Sequence, residues 1–476
     1  LWNCRRPLCS SSRADKGIGA MTGIAELLRG VGSQPSETPP PLWDVPGVEP
    51  DFDVIVVGGG VAGAVAAYEL AGEGHEVLLV ERGREPGSKN LSGGVLYCRV
   101  LEEIFPNFLR DAPVERKITR NQLMFLNRDS SVAVDYRDAR LVDPVNAVTV
   151  LRAKLDPWLS EKCEEAGVTV MSGVRVDSLI ERDGQFVGVR AGDDELYSRV
   201  VIAADGVNSF LSRDAGLRGP EPKNNLAVGV KSVIGLDPKV IEERFQVKNG
   251  EGAAYAVVGD CTKGVGGGGF LYTNIDSVSA GIVLRLDDLE RSGESSSQLH
   301  DHFLTHPVVA PLLAGGELLE YGCHLVAEGG ASMQHDLVAP GLLIVGDAAG
   351  FTLNTGFTVR GMDLAAGSAL AAAKSVDLAL RNHDVGHGTL DGYISTCNES
   401  FVGRDMNTYR NAPAFLESPE MYDDVGQLAA DVMYKIYGLD MTPRKHLLPT
   451  VASAVRSSNL SFSQIASIGF RAMRAL

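Results

Sequence analysis

Three glycines have the spacing of a turn that binds a pyrophosphate. Gly58, Gly60 and Gly63 follow the apolar run 54–57, and Val61 and Ala62 between them open a predicted helix. In such a turn the first glycine permits the sharp bend, the second lets the backbone approach the phosphates, and the third lets the helix pack on the strand. The free N–H groups and the dipole of the helix favour the anion. Glu81, at the end of the next apolar run, can accept a ribose hydroxyl, and the pattern predicts a dinucleotide site.

Two later segments repeat the pattern of a buried strand that ends in an acid. The strand 198–203 runs into Ala204-Asp205-Gly206, and the strand 342–345 runs into Gly346-Asp347. Acids at the carboxyl ends of parallel strands face the crevice where ligands bind, so Asp347 can hold a flavin ribityl hydroxyl. The turn 356–361, before a predicted helix that extends to about residue 380, aims N–H groups at the flavin edge that becomes anionic on reduction. Each segment alone could be a helix cap or a turn, but together they predict FAD.

Antiparallel strands are predicted between these segments. Residues 270–273, a turn at 274–277 and residues 278–286 predict a hairpin, and 226–234 and 318–326 predict further strands. Four glycines, 266–269, either allow close approach of a planar ligand or form a loose loop. The sequence therefore predicts a mixed sheet domain that covers the flavin.

Composition narrows the classes of function. The net charge of -17 argues against nucleic-acid binding, and no apolar run is long enough to span a membrane, which indicates a soluble or peripheral protein. The seven cysteines form no C-x-x-C pair, so no disulfide framework or self-contained iron–sulfur cluster is expected, and a reducing compartment fits. No metal site is predicted, and His302 and His306 are interpreted as surface histidines near a helix end. Residues 1–50 are predicted to be a disordered leader and linker, with Met21 as a plausible true start.

Several motifs in one order resemble a known family. They are Gly58 to Gly63 with Glu81, Lys89-Asn90-Leu91-Ser92-Gly93-Gly94, residues 150–156, Ala204-Asp205-Gly206, residues 267–274, Gly346 to Gly350, and residues 354–363. Together they resemble the electron-transfer-flavoprotein:quinone oxidoreductase family, and most closely its FixC branch. The resemblance implies an α/β fold in which a Rossmann-like FAD-binding domain of glutathione-reductase type is interleaved with a mixed antiparallel β-sheet domain. A helical C-terminal region would follow.

The resemblance also implies domain boundaries and site residues. The FAD-binding domain would comprise 51–100, 150–215 and 335–385, the quinone domain 101–149 and 216–334, and the helical region 386–476. Predicted cofactor residues are Gly58, Gly60, Val61, Ala62, Gly63, Glu81, Arg82, Gly93, Gly94, Arg152, Val176, Asp205, Gly206, Gly346, Asp347, Thr355, Gly356 and Phe357. Phe270, Tyr272 and Thr273 are candidates to contact a quinone head group, although simple hairpin packing explains them equally well. No catalytic acid, base or nucleophile is predicted, because the flavin carries the chemistry.

The expected partners follow from the same resemblance. No cysteine follows Cys397, whereas the single-chain quinone oxidoreductases bind a four-iron cluster through C-terminal cysteines. FixC-type chains share this feature, and their cluster lies on a separate ferredoxin-like subunit. The resemblance implies a two-subunit electron-transfer flavoprotein, the ferredoxin-like subunit, a quinone, and a setting in which electron bifurcation can occur in the partner. A class A flavin hydroxylase and a prenyl-lipid (geranylgeranyl) reductase are the rival interpretations, and a flavin-bearing structural subunit is the non-enzymatic alternative.

The C-terminal segment reverses the charge of the rest of the chain. Residues 441–476 contain five basic residues and no Asp or Glu. Phe462, Ile465, Gly469, Met473 and Leu476 recur at helical spacing beside Arg471 and Arg474, which suits an amphipathic helix on anionic lipid or on an acidic partner. A terminal helix packed on its own acidic body is the alternative. The expected location is cytoplasmic, peripheral to the inner face of the membrane.

Overall fold

The computed structural model describes residues 43–88, 90 and 93–476. Most of the predicted leader, and Lys89, Leu91 and Ser92 of the Lys89 to Gly94 motif, lie outside the described residues. Within residues 43–50, Val45 is buried, and the Arg199 guanidinium lies 4.1 Å from the centre of the Trp43 ring. The prediction that the whole of 1–50 stays apart from the fold is therefore wrong for these last residues, because an indole and a valine provide apolar surface that the fold covers.

The strands and helices have the following bounds. The strands are β1 (Phe52–Val57), β2 (Val77–Glu81), β3 (Gly94–Tyr97), β4 (Val114–Asn127), β5 (Ser130–Arg137), β6 (Ala147–Val150), β7 (Thr169–Ser172), β8 (Ser178–Arg182), β9 (Gln185–Ala191), β10 (Asp194–Ala203), β11 (Leu226–Gly235), β12 (Glu251–Gly259), β13 (Gly267–Thr273), β14 (Ser277–Arg285), β15 (Glu317–Ala327), β16 (Val338–Ala339), β17 (Leu342–Ile344), β18 (Leu353–Asn354) and β19 (Val359–Arg360). The α-helices are α1 (Val61–Gly72), α2 (Arg99–Ile104), α3 (Phe108–Asp111), α4 (Arg152–Glu165), α5 (Phe210–Asp214), α6 (Pro238–Phe245), α7 (Leu286–Ser292), α8 (Ser296–Thr305), α9 (Ala310–Leu313), α10 (Met362–Asn382), α11 (His387–Leu390), α12 (Gly392–Glu399), α13 (Phe401–Thr408), α14 (Ala412–Leu416), α15 (Asp424–Tyr437), α16 (Leu447–Ser457) and α17 (Phe462–Ala475).

The first sheet is the nucleotide-binding layer. Its strand order is β16-β17-β10-β1-β2-β7, and the β8–β9 hairpin extends from β10. β1 runs parallel to β2 and β10, and β10 runs parallel to β17. All three segments predicted to be buried strands thus lie side by side, because each is apolar on both faces and must be covered on both. The carboxyl ends of β1, β2, β10 and β17 bring the Gly58 turn, Glu81, Asp205 and Asp347 to one edge of the sheet.

Two helices cover the same sheet region. α1 is rich in alanine and valine, and α10, which begins at Met362, packs along it. Their small side chains permit a close approach, so the helix that follows the glycine turn and the helix that follows Asp347 start near each other. The predicted α/β fold is confirmed.

The second sheet has the order β15-β11-β14-β13-β12-β4-β6-β3, with β5 beside β4. The predicted hairpin is present as β13 and β14, and the strands predicted at 226–234 and 318–326 are β11 and β15. β3 lies within the predicted nucleotide-binding segment 51–100 but pairs with β6 in this second sheet. The domain division stays a prediction. The chain crosses from one sheet to the other just after Gly93.

Three of the four glycines at 266–269 belong to the first strand of the hairpin and do not form a loose loop. Gly267, Gly268 and Gly269 belong to β13. A Cβ on Gly267 would lie 1.9 Å from the Val283 carbonyl oxygen, and one on Gly269 would lie 2.9 Å from the Phe303 ring. Close packing of the neighbouring strand and helix therefore requires glycine here, a reason that neither sequence-based interpretation included.

In the helical C-terminal region α11, α12 and α13 pack against α10, and α15 packs onto β4 and β5 of the second sheet. No helix in the described part of the chain has the length and apolarity that crossing a membrane requires. In α17 the half-buried or buried side chains are Ile465, Ile468, Ala472 and Ala475, whereas Phe462 and Met473 are exposed. The apolar stripe predicted from the sequence placed Ile465 on the same face as Phe462 and Met473, and this part of the prediction was wrong. The helix packs on the protein with one apolar side and presents a second apolar side to the surface.

Candidate functional site

One large cavity joins the two sheets. Its volume is about 880 Å³, and residues of both sheets and of the C-terminal helices line it. The predicted cofactor residues on its wall are Gly58, Gly60, Val61, Ala62, Glu81, Arg82, Gly93, Gly94, Arg152, Val176, Asp205, Gly206, Asp347, Thr355, Gly356 and Phe357. Gly63 and Gly346 lie behind the wall. Residues that are far apart in the sequence therefore surround one space of the size of a dinucleotide-binding cleft.

The three glycines of the turn have different roles: two are required by packing, and one faces the cavity. A Cβ on Gly63 would lie 1.9 Å from the Gly58 carbonyl oxygen, and one on Gly58, whose φ is +112°, would lie 2.3 Å from the Ala204 carbonyl oxygen. A Cβ on Gly60 would meet only the Arg152 guanidinium, at 3.4 Å. Gly58 and Gly63 are therefore required by packing, while Gly60 is open toward the cavity.

Glu81 is held in place by backbone amides. The Gly59 N–H donates to one carboxylate oxygen at 2.9 Å, and the Gly83 N–H donates to the other at 2.6 Å. Each oxygen retains a lone pair for a further donor. The carboxylate at the end of β2 is thus oriented to accept a ribose hydroxyl.

Arg152 begins α4 and lies beside the glycine turn. Its Nε and Nη2 donate to the two carboxylate oxygens of Asp156 at 2.5 and 2.7 Å, and Asn90 donates to the same carboxylate at 3.0 Å. Asp156 is completely buried. A bidentate pair of this kind fixes the plane of the guanidinium and leaves Nη1 for an anion.

Asp205 has one occupied and one unpaired carboxylate oxygen. Its Oδ2 accepts the Leu211 N–H at 3.0 Å, which caps α5, and its Oδ1 is buried without a hydrogen-bond partner among the described residues. Burial raises the pKa of the carboxyl group. The helix-cap interpretation and the ligand interpretation both fit, because each concerns a different oxygen.

Asp347 follows β17 and faces the cavity. Burial raises the pKa of its carboxyl group, and the nearby Arg152 and His324 act in the opposite direction. Gly346 does not line the cavity: its N–H donates to Ser368 Oγ at 3.0 Å, and a Cβ there would lie 2.9 Å from Ala62 Cβ. Gly346 therefore packs the loop against α1, and Asp347 is the residue that is available to a ligand hydroxyl.

The loop between β18 and β19 is fixed by its own side chains. Asn354 Oδ1 accepts the Gly356 N–H at 2.8 Å, and Thr355 Oγ1 accepts the Thr358 N–H at 3.1 Å. Gly356 has a φ of +77°, which favours glycine. The loop leads to the start of α10, so its amides and the positive end of the helix dipole lie at the cavity wall.

The other side of the cavity is set by a close approach of the chain to the second sheet. A Cβ on Gly93 would lie 2.1 Å from Ser279 Oγ, and one on Gly94 would lie 3.1 Å from Met362 Cε. These glycines let the backbone pass between the hairpin and α10. A flat ring can therefore lie along the backbone at this point.

The three residues predicted to contact a quinone lie on two different faces of β13. Phe270 and Tyr272 line the cavity, with ring centroids 4.8 Å apart and planes 22° apart. Thr273 lies on the opposite face: it is fully buried, its hydroxyl accepts the Ala253 N–H at 2.9 Å, and it does not reach the cavity. The role predicted for Thr273 thus has no geometric support, because successive side chains of a strand point to opposite faces.

Several cavity residues escaped the sequence analysis. Lys231, His324 and Glu328 come from β11, from β15 and from the residue just after β15, and Ile468, Ala472 and Leu476 come from the C-terminal end. Lys231 left a signal, since it is the one charged residue in the apolar run 226–234. Leu476 belongs to the predicted apolar stripe, but Ile468 and Ala472 left no signal, because helical periodicity does not say which of two apolar faces is covered.

The two histidines near the end of α8 serve packing. His306 is 2 % exposed and its Nε2 lies 2.9 Å from the Asn127 carbonyl oxygen, while His302 Nε2 lies 2.7 Å from Asp260 Oδ2. The prediction of two surface histidines is wrong for His306. His306 contacts Asn127, 179 residues away in the sequence, and local sequence does not specify such a contact.

Comparison with known proteins identifies the family. A probable electron transfer flavoprotein-quinone oxidoreductase, YdiS of Escherichia coli K12, is 47% identical over 395 residues, which cover 83% of this chain and 92% of YdiS. Protein FixC of Escherichia coli O157:H7 is 46% identical over 390 residues, which cover 82% of this chain and 91% of FixC. The chain belongs to the electron-transfer-flavoprotein:quinone oxidoreductase family, in its FixC branch. It is a FAD-dependent oxidoreductase.

The cofactor and fold comparisons agree with this family. The sequence family described as "FAD binding domain" matches residues 51–251. A geranylgeranyl bacteriochlorophyll reductase-like protein from Thermoplasma acidophilum superimposes with a TM-score of 0.65 at 21% identity, over 88% of this chain and 99% of that protein. The flavin-dependent brominase Bmp2 gives 0.56 at 14% identity, over 88% and 93%. At these identities the likeness concerns the fold. The open Gly60 position, the oriented Glu81 carboxylate and the unpaired Asp205 oxygen fit FAD.

Proposed function

We propose that this flavoprotein passes electrons from an electron-transfer flavoprotein, through a separate ferredoxin-like iron–sulfur subunit, to a quinone dissolved in the membrane. One observation carries the proposal: the cavity that begins at the dinucleotide motif continues into an apolar compartment beneath the C-terminal helices. A quinone head group needs a flat apolar space close to the flavin. Its prenyl tail needs an apolar path to lipid.

The apolar compartment has a sheet floor and a helical roof. Val258 and Val283 belong to the floor, and Leu416, Ile468 and Leu476 belong to the roof. The stacked Phe270 and Tyr272 stand on the same cavity wall. Burial raises the pKa of Tyr272, so its hydroxyl keeps its proton and can donate to a quinone carbonyl.

The outer side of the roof carries what we name the C-terminal apolar surface. Its exposed side chains are Met433, Tyr434, Tyr437, Leu439, Met441, Leu447, Leu448, Phe462, Phe470 and Met473. Lys435, Arg444, Lys445, Arg456 and Arg474 are interspersed in the same segment, and Asp440 is its one acidic residue. Exposed apolar side chains among basic ones suit the interface of an anionic bilayer, and the proposed location is the inner face of the cytoplasmic membrane. The same helices would then hold the protein at the lipid and bound the quinone compartment.

The proposed partners rest on the family and on the cysteines of this chain. Cys163 and Cys261 are completely buried in separate hydrophobic clusters, and burial raises the pKa of each thiol to about 12. Such thiols are poor ligands for an iron–sulfur cluster, which binds thiolates. We therefore assign the cluster to the ferredoxin-like subunit.

The decisive experiment reduces the FAD-loaded chain with candidate donors. A dithionite-reduced electron-transfer flavoprotein, with the ferredoxin-like subunit present, should bleach the flavin, and a short-chain quinone should restore its colour. NADPH alone should leave the flavin oxidised. Rapid bleaching by NADPH followed by oxygen uptake would indicate a hydroxylase. Bleaching by NADPH followed by saturation of a geranylgeranyl chain would indicate a prenyl-lipid reductase, and either result would refute the proposal.

A further inference from the structure

Lys231 occupies an unusual position in the middle of the second sheet. Its partners in register are Gly281 of β14 and Gly322 of β15, and Gly281 is paired in turn with Phe270. The two glycines leave room above the sheet, and the Lys231 ammonium lies 5.5 Å from the centre of the Phe270 ring. The lysine therefore lies along the cavity wall rather than extending to the surface.

Lys231 has no balancing anionic side chain in the part of the chain that the structure describes. Among the described residues no carboxylate lies within ion-pair distance of Lys231, and the charged group that affects it is another cation, Arg152. Burial, reinforced by Arg152, lowers the pKa of Lys231 to about 8. Lys231 is partly buried, and a partly buried cation without a counter-charge among the described residues is costly, so its presence on a ligand wall points to a ligand that supplies negative charge.

A second basic group stands beside it. His324 of β15 faces the same cavity and lies opposite Gly229, two residues from Lys231. Burial lowers the pKa of His324, and Lys231 and Arg152 add to this effect. Across the cavity the facing carboxyl group is Asp347, whose pKa burial raises. The charged groups that line the cavity along β11 and β15 are therefore the Lys231 ammonium and, just after β15, the Glu328 carboxyl group, which accepts a hydrogen bond from Asn354.

FAD supplies two negative groups, the pyrophosphate and, after reduction, the flavin ring. The proposed pyrophosphate site already has the Gly60 turn and Arg152, the first residue of α4. Lys231 lies on the opposite sheet, with Phe270 and within the cavity that Gly93, Gly94 and the 354–358 loop also line. We propose that Lys231 is the counter-cation of the reduced flavin: its ammonium stabilises the negative charge that the ring gains on reduction and so sets the flavin potential.

This inference rests on FAD, which the family establishes, and not on the proposed donor or quinone. The test uses the FAD-loaded full chain in which Lys231 is replaced by Met or by Arg. Lys248→Met, at an exposed lysine outside the cavity, is the matched control. Three quantities are measured: the affinity for oxidised FAD, the flavin midpoint potential by dye equilibration, and the dissociation constant for sulfite, whose adduct places negative charge on the flavin ring.

For Lys231→Met we expect a lower flavin midpoint potential. The affinity for reduced FAD, divided by the affinity for oxidised FAD, should fall on the order of tenfold or more. Sulfite binding should weaken by a similar factor, while Lys231→Arg and Lys248→Met should stay near the parent protein. Equal loss of affinity for oxidised and reduced FAD, at unchanged potential, would assign Lys231 to the pyrophosphate instead. An unchanged potential with unchanged sulfite affinity would also overturn the proposal. If Lys231→Met fails to fold, Lys231→Gln replaces it in the same three measurements.

Discussion

Glu328 Oε2 accepts a hydrogen bond from Asn354 Nδ2 at 3.0 Å. The Asn354 amide is shared, because its Oδ1 also accepts the Gly356 N–H at 2.8 Å. Glu328, just after β15, thereby fixes the loop that presents Thr355 to Phe357 at the cavity. The second sheet thus controls the shape of a loop that belongs to the nucleotide-binding half.

Glu328→Gln should reveal the cost of burying this carboxyl group. Burial raises the pKa of Glu328, although the Asn354 hydrogen bond and Arg285 act in the opposite direction. As pH rises from 4.5, the unfolded chain loses this proton before the folded chain does, so the free energy of unfolding falls across that window. Glutamine does not titrate, so it adds no such pH dependence to the free energy of unfolding, and its amide oxygen can still accept the hydrogen bond from Asn354. Urea unfolding of the apoprotein should give the parent and the variant equal free energies of unfolding at pH 4. At pH 7.5 the variant should be at least as stable as the parent. A variant that is less stable than the parent by the same amount at both pH values would contradict this.

Gly60→Val should separate cofactor binding from folding. The new side chain would enter the space next to Arg152, where the pyrophosphate is expected, so FAD occupancy should fall by most of its value while the apoprotein keeps its circular dichroism spectrum. Gly63→Ala is the matched control, since its Cβ would collide with the Gly58 carbonyl and should lower the melting temperature. Full FAD content in folded Gly60→Val would show that the turn does not bind the phosphates.

Arg360→Met should strongly destabilise the start of α10. The guanidinium donates to Asp363 at 2.7 Å and to Asp405 at 2.5 Å, and Asp363 is 3 % exposed. Removing the cation leaves a buried carboxylate without a partner, which costs about 3–5 kcal/mol. The free energy of unfolding measures this loss. Adding Asp363→Asn to Arg360→Met should recover a substantial part of it, and a double variant as unstable as the single one would assign the loss to packing instead.

Replacement of Phe462, Phe470 and Met473 by serine should weaken attachment to anionic liposomes. These side chains are more than half exposed, so the variant should keep its FAD and its melting temperature. Leu318→Ser with Leu319→Ser, at comparably exposed positions on the edge strand β15, is the control. Co-sedimentation with vesicles that contain phosphatidylglycerol measures the effect. Equal loss in the control, or none in the triple variant, would refute the proposed membrane contact.

The sequence alone determined the nucleotide-binding half of the site. The tight turn at Gly58 to Gly63, the start of the helix after it and the strand end at Glu81 are local structures that neighbouring residues specify. The same holds for the acids that follow the two further buried strands. The rule that parallel strands end at one edge then brings Glu81, Asp205 and Asp347 together. The FixC-type motifs added the family and the cofactor, both of which the comparisons confirm.

Only the tertiary structure decided which faces are covered. Phe270 and Tyr272 share the cavity while Thr273 does not. In α17 Ile468 and Ala472 are half-buried at the cavity wall, while Phe462 and Met473 are exposed. Periodicity defines faces but does not say what packs against each one. The surroundings of Lys231 show the same limit, because the glycines opposite it and the absence of a nearby described carboxylate depend on strands that pair across long stretches of sequence.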